Sequence, residues 1–294
     1  MSKPKILIQF DSGPLASTFD SIVAIDSGVD HLLAQSRVTP EQIESLVHGA
    51  MFTRGPKDLK STALFFGGND VTKTEALVAA AKKCFFGPLQ VSILSDPNGS
   101  NTTAAAAVIC AQKHIDLSGQ TITILAGTGP VGQRIAQIIA GPGTKASNPP
   151  SIRVCSRQLD KAKTICELLS TKSDGDFVAT ATGTPDEACA AVAEADVVFA
   201  AGAAGIELLP AGWNQNSTSP AVAIDLNAVP PAGIAGIDVM DAGKERATSI
   251  CYGAIGVGGL KMKIHKRALQ MLFESNDQIL EVEEIYQVGL NVGG

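Results

Sequence analysis

Apolar, β-branched runs of five or six residues alternate with longer stretches of helical periodicity along the first part of the chain. The runs Lys5–Phe10, Thr62–Phe66 and Gln90–Leu94 predict strands, and the stretches Thr39–Val47 and Thr72–Lys83 predict helices. Strands that alternate with helices in this way are typical of βαβ units around a parallel sheet.

A second series of the same kind begins at residue 121. Its predicted strands are Thr121–Ala126, Ile152–Ser156, Val178–Ala181, Val197–Ala201 and Val222–Asp225. Helices are predicted at Val131–Ala140 and Lys161–Ser170, and the alanine-rich stretch Thr102–Lys113 predicts a helix between the two series. The segment Gly141–Pro150 contains three prolines and two glycines and predicts an exposed loop inserted in the second series.

From Leu260 onward the pattern changes to two helices, Lys261–Ser275 and Gln278–Val288, without a strand signal. We expect these helices to pack back on the first domain. The predicted fold class is therefore α/β, with two α/β domains, one of them a Rossmann-like doubly wound parallel sheet.

Composition narrows the classes of partner. A chain of 294 residues that is 45% hydrophobic and 18% charged is a globular protein long enough for two domains. The net charge of -6 and the pI near 5.3 argue against nucleic acid. No apolar stretch approaches 18 residues and the N-terminal segment lacks the features of a signal peptide, so we expect a cytoplasmic protein that does not enter membranes.

Cysteine and histidine give no metal signature. The six cysteines never come closer than 11 positions apart, so no CxxC pattern exists and buried free thiols are expected. The four histidines are scattered, with no HExxH and no acidic partner at ligand spacing. The sequence therefore predicts no metal site.

The strongest local motif is Gly127-x-Gly129-x-x-Gly132, which follows an apolar strand and opens an amphipathic helix. In a dinucleotide-binding loop the first glycine permits a tight turn, the second leaves room for pyrophosphate, and the third lets helix and strand approach. The N-terminus of the helix then offers free N–H groups to the phosphates. The motif predicts a dinucleotide site that includes Thr128, Pro130 and Val131; a glycine-rich packing turn is the alternative.

The end of the next strand indicates which dinucleotide binds. NAD enzymes place Asp or Glu there to accept the ribose 2′-hydroxyl, whereas this chain has Ser156 and Arg157, with Lys161 one turn later. A hydroxyl and cations favour the 2′-phosphate of NADP. The offset from Gly127 to Arg157 is about ten residues longer than the usual value of about 20, which the predicted loop explains. Arg157 as a solvated surface arginine is the alternative.

Ligands of open α/β sheets bind outside the carboxyl ends of strands, where three further segments lie. Ala201–Gly202 follows one predicted strand, Asp225 and Asn227 end another, and Gly67–Gly68 follows a third. Each segment also has the composition of a plain turn, and an Asp at a strand end often only caps that turn. Lys261, at the predicted start of a helix after four glycines, opposes the helix dipole; a ligand role and a solvated surface position remain equal alternatives.

Several motifs in order resemble the bacterial NADP-dependent methylene-tetrahydromethanopterin dehydrogenases. The matching segments are NGSNTTAAA from Asn98, LAGTGPVG from Leu125, AGAAGIELLP from Ala201, DLNAVPPAGIAGID from Asp225 and AIGVGGLKMKIH from Ala254. The Phe19–Asp20 pair and the closing LFES and EEIY extend the resemblance over nearly the whole chain.

The resemblance implies a pterin-binding α/β domain of residues 1–103 plus 261–294 and a Rossmann NADP domain of residues 104–260. Lys261 is similar to the family's active-site lysine beside the pterin, Phe19 and Asp20 would lie on the pterin side, and Thr102 and Thr103 would lie near the nicotinamide. It also implies one-carbon metabolism, in particular formaldehyde oxidation, and a homo-oligomer with a trimer favoured. The loop Gly141–Pro150 departs from the family pattern and leaves the adenosine contacts open.

The implied reaction removes a hydride from 5,10-methylene-tetrahydromethanopterin and gives the methenyl carrier. The cation that forms is stabilised by adjacent nitrogen lone pairs, so the chemistry requires neither a general base nor a metal, and the protein's task is positioning. Two alternatives remain. One is a methylene-tetrahydrofolate dehydrogenase, with or without cyclohydrolase activity; the other is a non-catalytic NADP-sensing protein with the same fold.

Overall fold

A computed structural model describes residues 3–142, 148–214 and 220–293. The chain folds into two compact units. The first comprises Met1–Thr102 and Met262–Val292, and the second comprises Thr103–Lys261 and Gly293–Gly294. Which unit binds which ligand stays a prediction.

The described residues form the following elements in chain order. The strands are β1 (Ile6–Asp11), β2 (His31–Gln35), β3 (Thr62–Gly67), β4 (Ser92–Ser95), β5 (Thr121–Leu125), β6 (Ser151–Ser156), β7 (Asp176–Ala181), β8 (Val197–Ala200), β9 (Val222–Asp225), β10 (Ala242–Arg246), β11 (Ser249–Tyr252) and β12 (Ile279–Leu280). The helices are α1 (Thr18–Asp26), α2 (Pro40–Met51), α3 (Val71–Lys83), α4 (Ser100–Gln112), α5 (Pro130–Ile139), α6 (Leu159–Ser170), α7 (Pro185–Val192), α8 (Ala254–Met271) and α9 (Val282–Gly293). Short 3-10 turns lie at Pro56–Ser61 and Pro97–Gly99.

The first unit is built on a parallel sheet with the strand order β12-β4-β3-β1-β2. Every residue of β3 is buried, which is the pattern of a central strand covered on both faces. Phe10 and Phe66 of neighbouring strands pack with Leu77 of α3 in one hydrophobic core. The carboxyl ends of β1, β3 and β4 therefore lie at one edge of a rigid sheet.

The second unit is the predicted Rossmann-like sheet. Its strand order is β10-β11-β9-β8-β5-β6-β7, and all neighbours are parallel except the antiparallel pair β10 and β11. The chain runs outward from β5 to β7 in one direction and from β8 to β11 in the other, so the winding reverses between β5 and β8. This doubly wound topology confirms the predicted fold class and places a ligand crevice at that reversal.

The C-terminal segment departs from the prediction in two ways. The helix begins at Ala254 and not at Lys261, and a short strand, β12, lies between the two helices and pairs with β4. Glycines are poor helix formers, but two of these lie where α8 meets the chain before β10. A Cβ at Gly256 would be 1.8 Å from the carbonyl oxygen of Asp241, and one at Gly253 would be 2.1 Å from that of Asp238. Close packing therefore requires the glycines, and the helix forms in spite of them.

The return of the C-terminal segment to the first unit agrees with the prediction, since β12 extends the first sheet. All six cysteines are free thiols, four of them buried. Within the described ranges, no helix is both long enough and apolar enough to cross a bilayer.

Candidate active site

The loop between β5 and α5 is shaped by two glycines that allow close approach. The N–H of Gly127 donates to the carbonyl oxygens of Ile124 (3.1 Å) and Cys155 (2.9 Å). A Cβ at Gly127 would lie 2.8 Å from the former oxygen, and a Cβ at Gly132 would lie 2.6 Å from the Cα of Gly127. Any side chain at either position would push α5 away from β5.

Gly129 has a different environment. It is the N-cap of α5 and provides no side-chain cap, and a Cβ there would make only ordinary contacts, 3.4 Å from the Ala126 carbonyl oxygen. The first-turn N–H groups of Val131 and Gly132 have no acceptor within the helix, and Pro130, at the first helical position, has no N–H. Free N–H groups at a helix N-terminus, next to a glycine with no side chain, fit the pyrophosphate of a dinucleotide.

A side-chain hydrogen bond holds this loop in place. Nε2 of Gln133, in the first turns of α5, donates to the carbonyl oxygen of Thr128 at 2.8 Å. The bond orients the peptide of Thr128 without using the N–H groups at the helix start. The loop is therefore ordered before any ligand contact is made.

The tip of β6 carries the residues predicted to select the 2′-phosphate. Ser156 is the last, buried residue of the strand, and its Oγ accepts the N–H of Gln158 at 3.2 Å. Arg157 is exposed, and within the described residues its guanidinium has no hydrogen-bond or ion-pair partner. Lys161 is exposed in the first turn of α6. Two cations at the tip are thus accessible to an anion.

The described end of the inserted segment, from Asn148, lies at the opposite edge of the same sheet. Residues 143–147 are outside the described chain, but Asn148 follows them, and its carbonyl oxygen accepts the N–H of Gly119 at 2.8 Å. Both residues precede the amino ends of their strands, β6 and β5, whereas Arg157 follows the carboxyl end of β6. The described end of the loop therefore lengthens the sequence offset from Gly127 to Arg157 without approaching the strand tip.

Ala201 and Gly202 lie directly after β8, across the winding reversal from the glycine loop. The N–H of Ala201 donates to the carbonyl oxygen of Leu125 at 3.1 Å, and its own carbonyl oxygen is 3.7 Å from a Cβ built on Gly129. A Cβ at Gly202 would be 2.7 Å from Leu208, so this glycine is needed for packing. Ala201 therefore lies beside Gly129 at the winding reversal.

The amide of Asn227 is engaged with the backbone. Its Oδ1 accepts the N–H groups of Gly205 (3.2 Å) and Val229 (3.0 Å), and its Nδ2 donates to the carbonyl oxygen of Pro231 at 2.9 Å. Only one N–H of the side chain is left for a ligand. The side chain ties two loops together, and its predicted contact with the cofactor stays a prediction.

Asp225, at the end of β9, orders the same loop. Its carboxylate accepts the N–H groups of Asn227 (3.0 Å) and Ile234 (3.1 Å). Burial raises the pKa of this carboxyl group, although the donated hydrogen bonds oppose the shift. The structure therefore favours the simpler alternative, in which Asp225 caps the turn that follows the strand.

In the first unit, Phe19 and Asp20 lie in the first turn of α1, a helix that the periodicity did not predict. Ser17 caps this helix by accepting the N–H of Asp20 at 3.2 Å. Asp20 is 8% exposed and Phe19 is 49% exposed. A Cβ built on Gly67 would lie 3.8 Å from Oδ2 of Asp20 and 3.7 Å from Oδ2 of Asp11, so both carboxylates line this glycine at the end of β3.

His265 was not predicted as a site residue, and it lies at the centre of this group. The ring is fully buried in α8 and stacks on Phe65, with the ring centroids 5.9 Å apart at an interplanar angle of 15°. Nε2 lies 4.0 Å from Oδ1 of Asp20, and Nδ1 lies 3.9 Å from Oδ2 of Asp96. The ring of Phe19 lies 6.3 Å from it. Asp11, Asp20, Asp96 and His265 are called the acidic cluster below.

The sequence held two signals for this cluster. Asp11 and Asp96 both come at the carboxyl ends of strands, which is where ligands of α/β sheets bind. His265 follows Lys261 by four residues, a spacing that places both on one face of a helix.

The structure corrects the helix-start prediction for Lys261. Lys261 is the eighth residue of α8, so the argument that it opposes the dipole at a helix start was wrong. Its candidacy now depends on its position, one turn before His265 on a continuous helix. Lys261 is half-buried, unlike the exposed Lys263 two positions later.

Thr102 and Thr103 lie in the first turn of α4 with different exposure. Thr102 is fully buried, and its Oγ1 donates to Oδ2 of Asp96 at 2.7 Å, whereas Thr103 is half-buried. The hydroxyl proton of Thr102 is therefore already committed. Within the described residues, no group of three His, Cys, Asp or Glu side chains is arranged to hold a metal ion.

Sequence comparison with known proteins identifies a family model and relatives that agree on one family. Residues 18–98 match the family model of the methylene-tetrahydromethanopterin dehydrogenase N-terminal domain. The bifunctional protein MdtA of Methylorubrum extorquens is 42% identical over 290 residues, which cover 98% of both chains. The NAD(P)-dependent methylenetetrahydromethanopterin dehydrogenase of the same organism is 31% identical over 287 residues, which cover 95% of both chains.

A solved structure supports the fold independently. The shikimate 5-dehydrogenase of Listeria monocytogenes, in complex with shikimate and NAD, matches with a TM-score of 0.52 at 13% sequence identity. The match covers 97% of this chain and 96% of that one. At this level of identity the likeness concerns the fold alone.

Proposed function

The chain belongs to the methylene-tetrahydromethanopterin dehydrogenase family, and on that premise we propose that it transfers a hydride from 5,10-methylene-tetrahydromethanopterin to NADP. The product is the methenyl carrier, and the reaction belongs to one-carbon (formaldehyde) oxidation. The observation that carries the proposal is the glycine loop of the second unit, where Gly129 precedes the free N–H groups at the start of α5 and accessible cations follow the next strand. We assign the NADP site to this unit and the pterin site to the first.

Gly127 to Gly132 would hold the pyrophosphate of the nucleotide, and Ser156, Arg157 and Lys161 its 2′-phosphate. A planar guanidinium binds phosphate oxygens in pairs, and no carboxylate at the strand tip competes for Arg157 within the described residues. Ala201, Gly202 and the remaining N–H of Asn227 would face the nicotinamide half. When bound, NADP supplies the carbon that accepts the hydride.

The substrate's own electrons simplify what the protein must do. The bond pair of the methylene C–H leaves as hydride, and the lone pairs of the two flanking nitrogens stabilise the cation that remains. No proton is released, so no side chain has to act as a base. The chain's residues bind, orient and exclude water.

The acidic cluster suits a reaction that creates positive charge. A carboxylate in a low-dielectric environment favours a nearby cation over its neutral precursor, which is stabilisation of developing charge. Asp20 is the most exposed of the cluster's carboxylates, at 8%, so we assign the charge stabilisation to it. Phe19 would contact the pterin ring, Thr102 and Thr103 would lie towards the nicotinamide, and Lys261 would orient the pterin or tune the local charge.

We also propose a cytoplasmic location and a homo-oligomeric assembly, with a trimer favoured. Both proposals come from the sequence and its family. Size-exclusion chromatography with light scattering measures the assembly directly.

One assay separates the proposal from its rivals. Purified protein is given methylene-tetrahydromethanopterin or methylene-tetrahydrofolate with NADP or NAD, and the reduced nicotinamide is followed at 340 nm. We expect the largest kcat/KM with tetrahydromethanopterin and NADP. A higher value with the folate carrier would favour the methylene-tetrahydrofolate dehydrogenase, and NADP binding without turnover on either carrier would favour the sensing protein.

A further inference from the structure

Asp96 links two parts of the first unit. It lies between β4 and the 3-10 turn Pro97–Gly99, and its side chain is fully buried. Oδ1 accepts the N–H groups of Asn101 (2.9 Å) and Thr102 (3.1 Å), and Oδ2 accepts the hydroxyl of Thr102 (2.7 Å). The carboxylate thus caps the first turn of α4.

The same Oδ2 faces the ring of His265. The separation of 3.9 Å from Nδ1 is an ion-pair distance, roughly 1 Å longer than a hydrogen bond. The other ring nitrogen, Nε2, lies at the matching distance of 4.0 Å from Asp20. Stacking on Phe65 limits rotation of the ring, so a change at Asp96 is transmitted to the side of the ring that faces Asp20.

We infer that Asp96 is a positioning residue for the hydride transfer, holding the threonine turn of α4 with one set of bonds and orienting His265 towards Asp20 with its charge. This inference rests on the proposed function, because it gives Asp96 a task only where Asp20 and α4 face the reactants. A carboxylate at ion-pair distance from one nitrogen of an imidazole favours a proton on that nitrogen. Asp96 thereby determines whether Nε2 of His265, the nitrogen that faces Asp20, carries a proton.

A carboxylate that only capped α4 would behave differently when replaced. The variant Asp96→Asn keeps an oxygen that accepts the N–H groups of Asn101 and Thr102, but it removes the charge that faces His265 and the acceptor of the Thr102 hydroxyl. Thr102→Val removes that hydroxyl bond and keeps the charge, so it separates the two effects. If Asp96 only caps α4, Asp96→Asn should lose a little stability and keep the kcat of the wild type. A positioning residue would lose rate while NADP binding stays intact.

The matched control is Asp26→Asn. Asp26 is exposed on α1 and pairs with Lys266 of α8 at 3.5 Å, so it joins the same two helices as the pair of Asp20 and His265. Removing an exposed ion pair changes little. Both variants are compared with the wild type for thermal unfolding, the dissociation constant of NADP, and kcat and KM for the methylene carrier.

We expect Asp96→Asn to lower kcat by about tenfold or more, as for residues of one charge network, with an unchanged NADP dissociation constant. Asp26→Asn should match the wild type. His265→Gln, whose amide reaches the Nε2 position, should retain more activity than His265→Asn, whose amide remains near Nδ1. Equal kcat in Asp96→Asn and Asp26→Asn would overturn the inference.

A second readout does not depend on turnover or on a folded variant. In protein labelled with ¹⁵N-histidine, the four histidines give few signals, and Nδ1 of His265 in the wild type should show the shift of a protonated nitrogen. An unprotonated Nδ1 would overturn the inference, because the Asp96 carboxylate favours a proton on the nitrogen that it faces. A wild type with a protonated Nδ1 and no turnover on either carrier would refute the proposed function. Asp96 would then still orient His265, but it would have no part in a hydride transfer.

Discussion

Lys261 lies one helical turn before His265, so the two side chains share one face of α8. If it orients the pterin, Lys261→Ala should lower kcat by roughly 10²- to 10³-fold, the cost of removing one preorganised charged group. The dissociation constant of NADP should hardly change, because the proposed phosphate contacts lie on α5 and β6. Steady-state kinetics and equilibrium titration of NADP measure the two quantities.

Lys263→Ala is the control for this variant. Lys263 is exposed on the same helix, and its replacement should leave both quantities as in the wild type. If turnover in Lys261→Ala equals that of the control, Lys261 is a surface lysine and the assignment is wrong.

We propose that Arg157 selects NADP over NAD. Charge-assisted hydrogen bonds contribute about 1.5–3 kcal/mol each, so Arg157→Ala should raise the KM for NADP roughly 10- to 100-fold. The KM for NAD, which lacks the 2′-phosphate, should stay within about twofold. Lys163→Ala on α6, which removes an exposed pair with Asp160, provides the comparison. An equal loss for both nucleotides would show that Arg157 supports the fold and does not read the phosphate.

Site residues were predictable where chemistry follows the local sequence. The glycine loop and the Ser156–Arg157 tip are contiguous motifs, and the structure gives them the shape and exposure that a phosphate site needs. The acidic cluster joins residues more than 240 positions apart in the sequence, from Asp11 to His265. A local sequence pattern cannot predict that such distant residues lie together. The commitment of Asn227 to backbone groups was equally invisible, because its partners come from two separate loops.

At the scale of elements, α8 tests how packing overrides propensity. Gly259 is an exposed residue inside the helix with open space around it, so Gly259→Ala should stabilise the protein by about 0.5–1 kcal/mol. Gly132→Ala should destabilise it by roughly 1–3 kcal/mol, since the added carbon would lie 2.6 Å from Gly127. Denaturant unfolding measures both changes.

The two glycine variants should differ in function as well. Gly259→Ala should keep its affinity for NADP, whereas Gly132→Ala should weaken it because α5 moves away from β5. A destabilised Gly259→Ala variant would contradict a continuous helix through the glycine segment.

The elements themselves were largely predictable from period and composition. The predicted strands of both sheets are present with ends shifted by one or two residues, and the predicted helices between them are present as well. Helices α1 and α7 and strands β10 and β11 were not predicted. Three further departures have physical causes. Strand β2 is exposed along most of its length and so carries no buried pattern, β12 has only two residues, and the start of α8 contains glycines that packing against Asp238 and Asp241 requires.

At the scale of the whole molecule, we propose that the two sheet units divide the task that the family name implies. The second unit has exposed cations and free N–H groups, which suit an anionic nucleotide, and the first unit has buried carboxylates, which suit a substrate that becomes a cation. A net charge of -6 does not prevent nucleotide binding, because Arg157 and Lys161 are local to the strand tip. Function here depends on where charge is placed and not on its sum.

Isotope transfer tests the central claim most directly. The methylene carrier is prepared with dideuterated formaldehyde, and NADP is reduced by the enzyme in ordinary water. We expect one deuterium per molecule of reduced NADP by mass spectrometry, because the hydride passes directly from carbon to carbon. Reduced NADP without deuterium, or no reduction at all, would contradict the account.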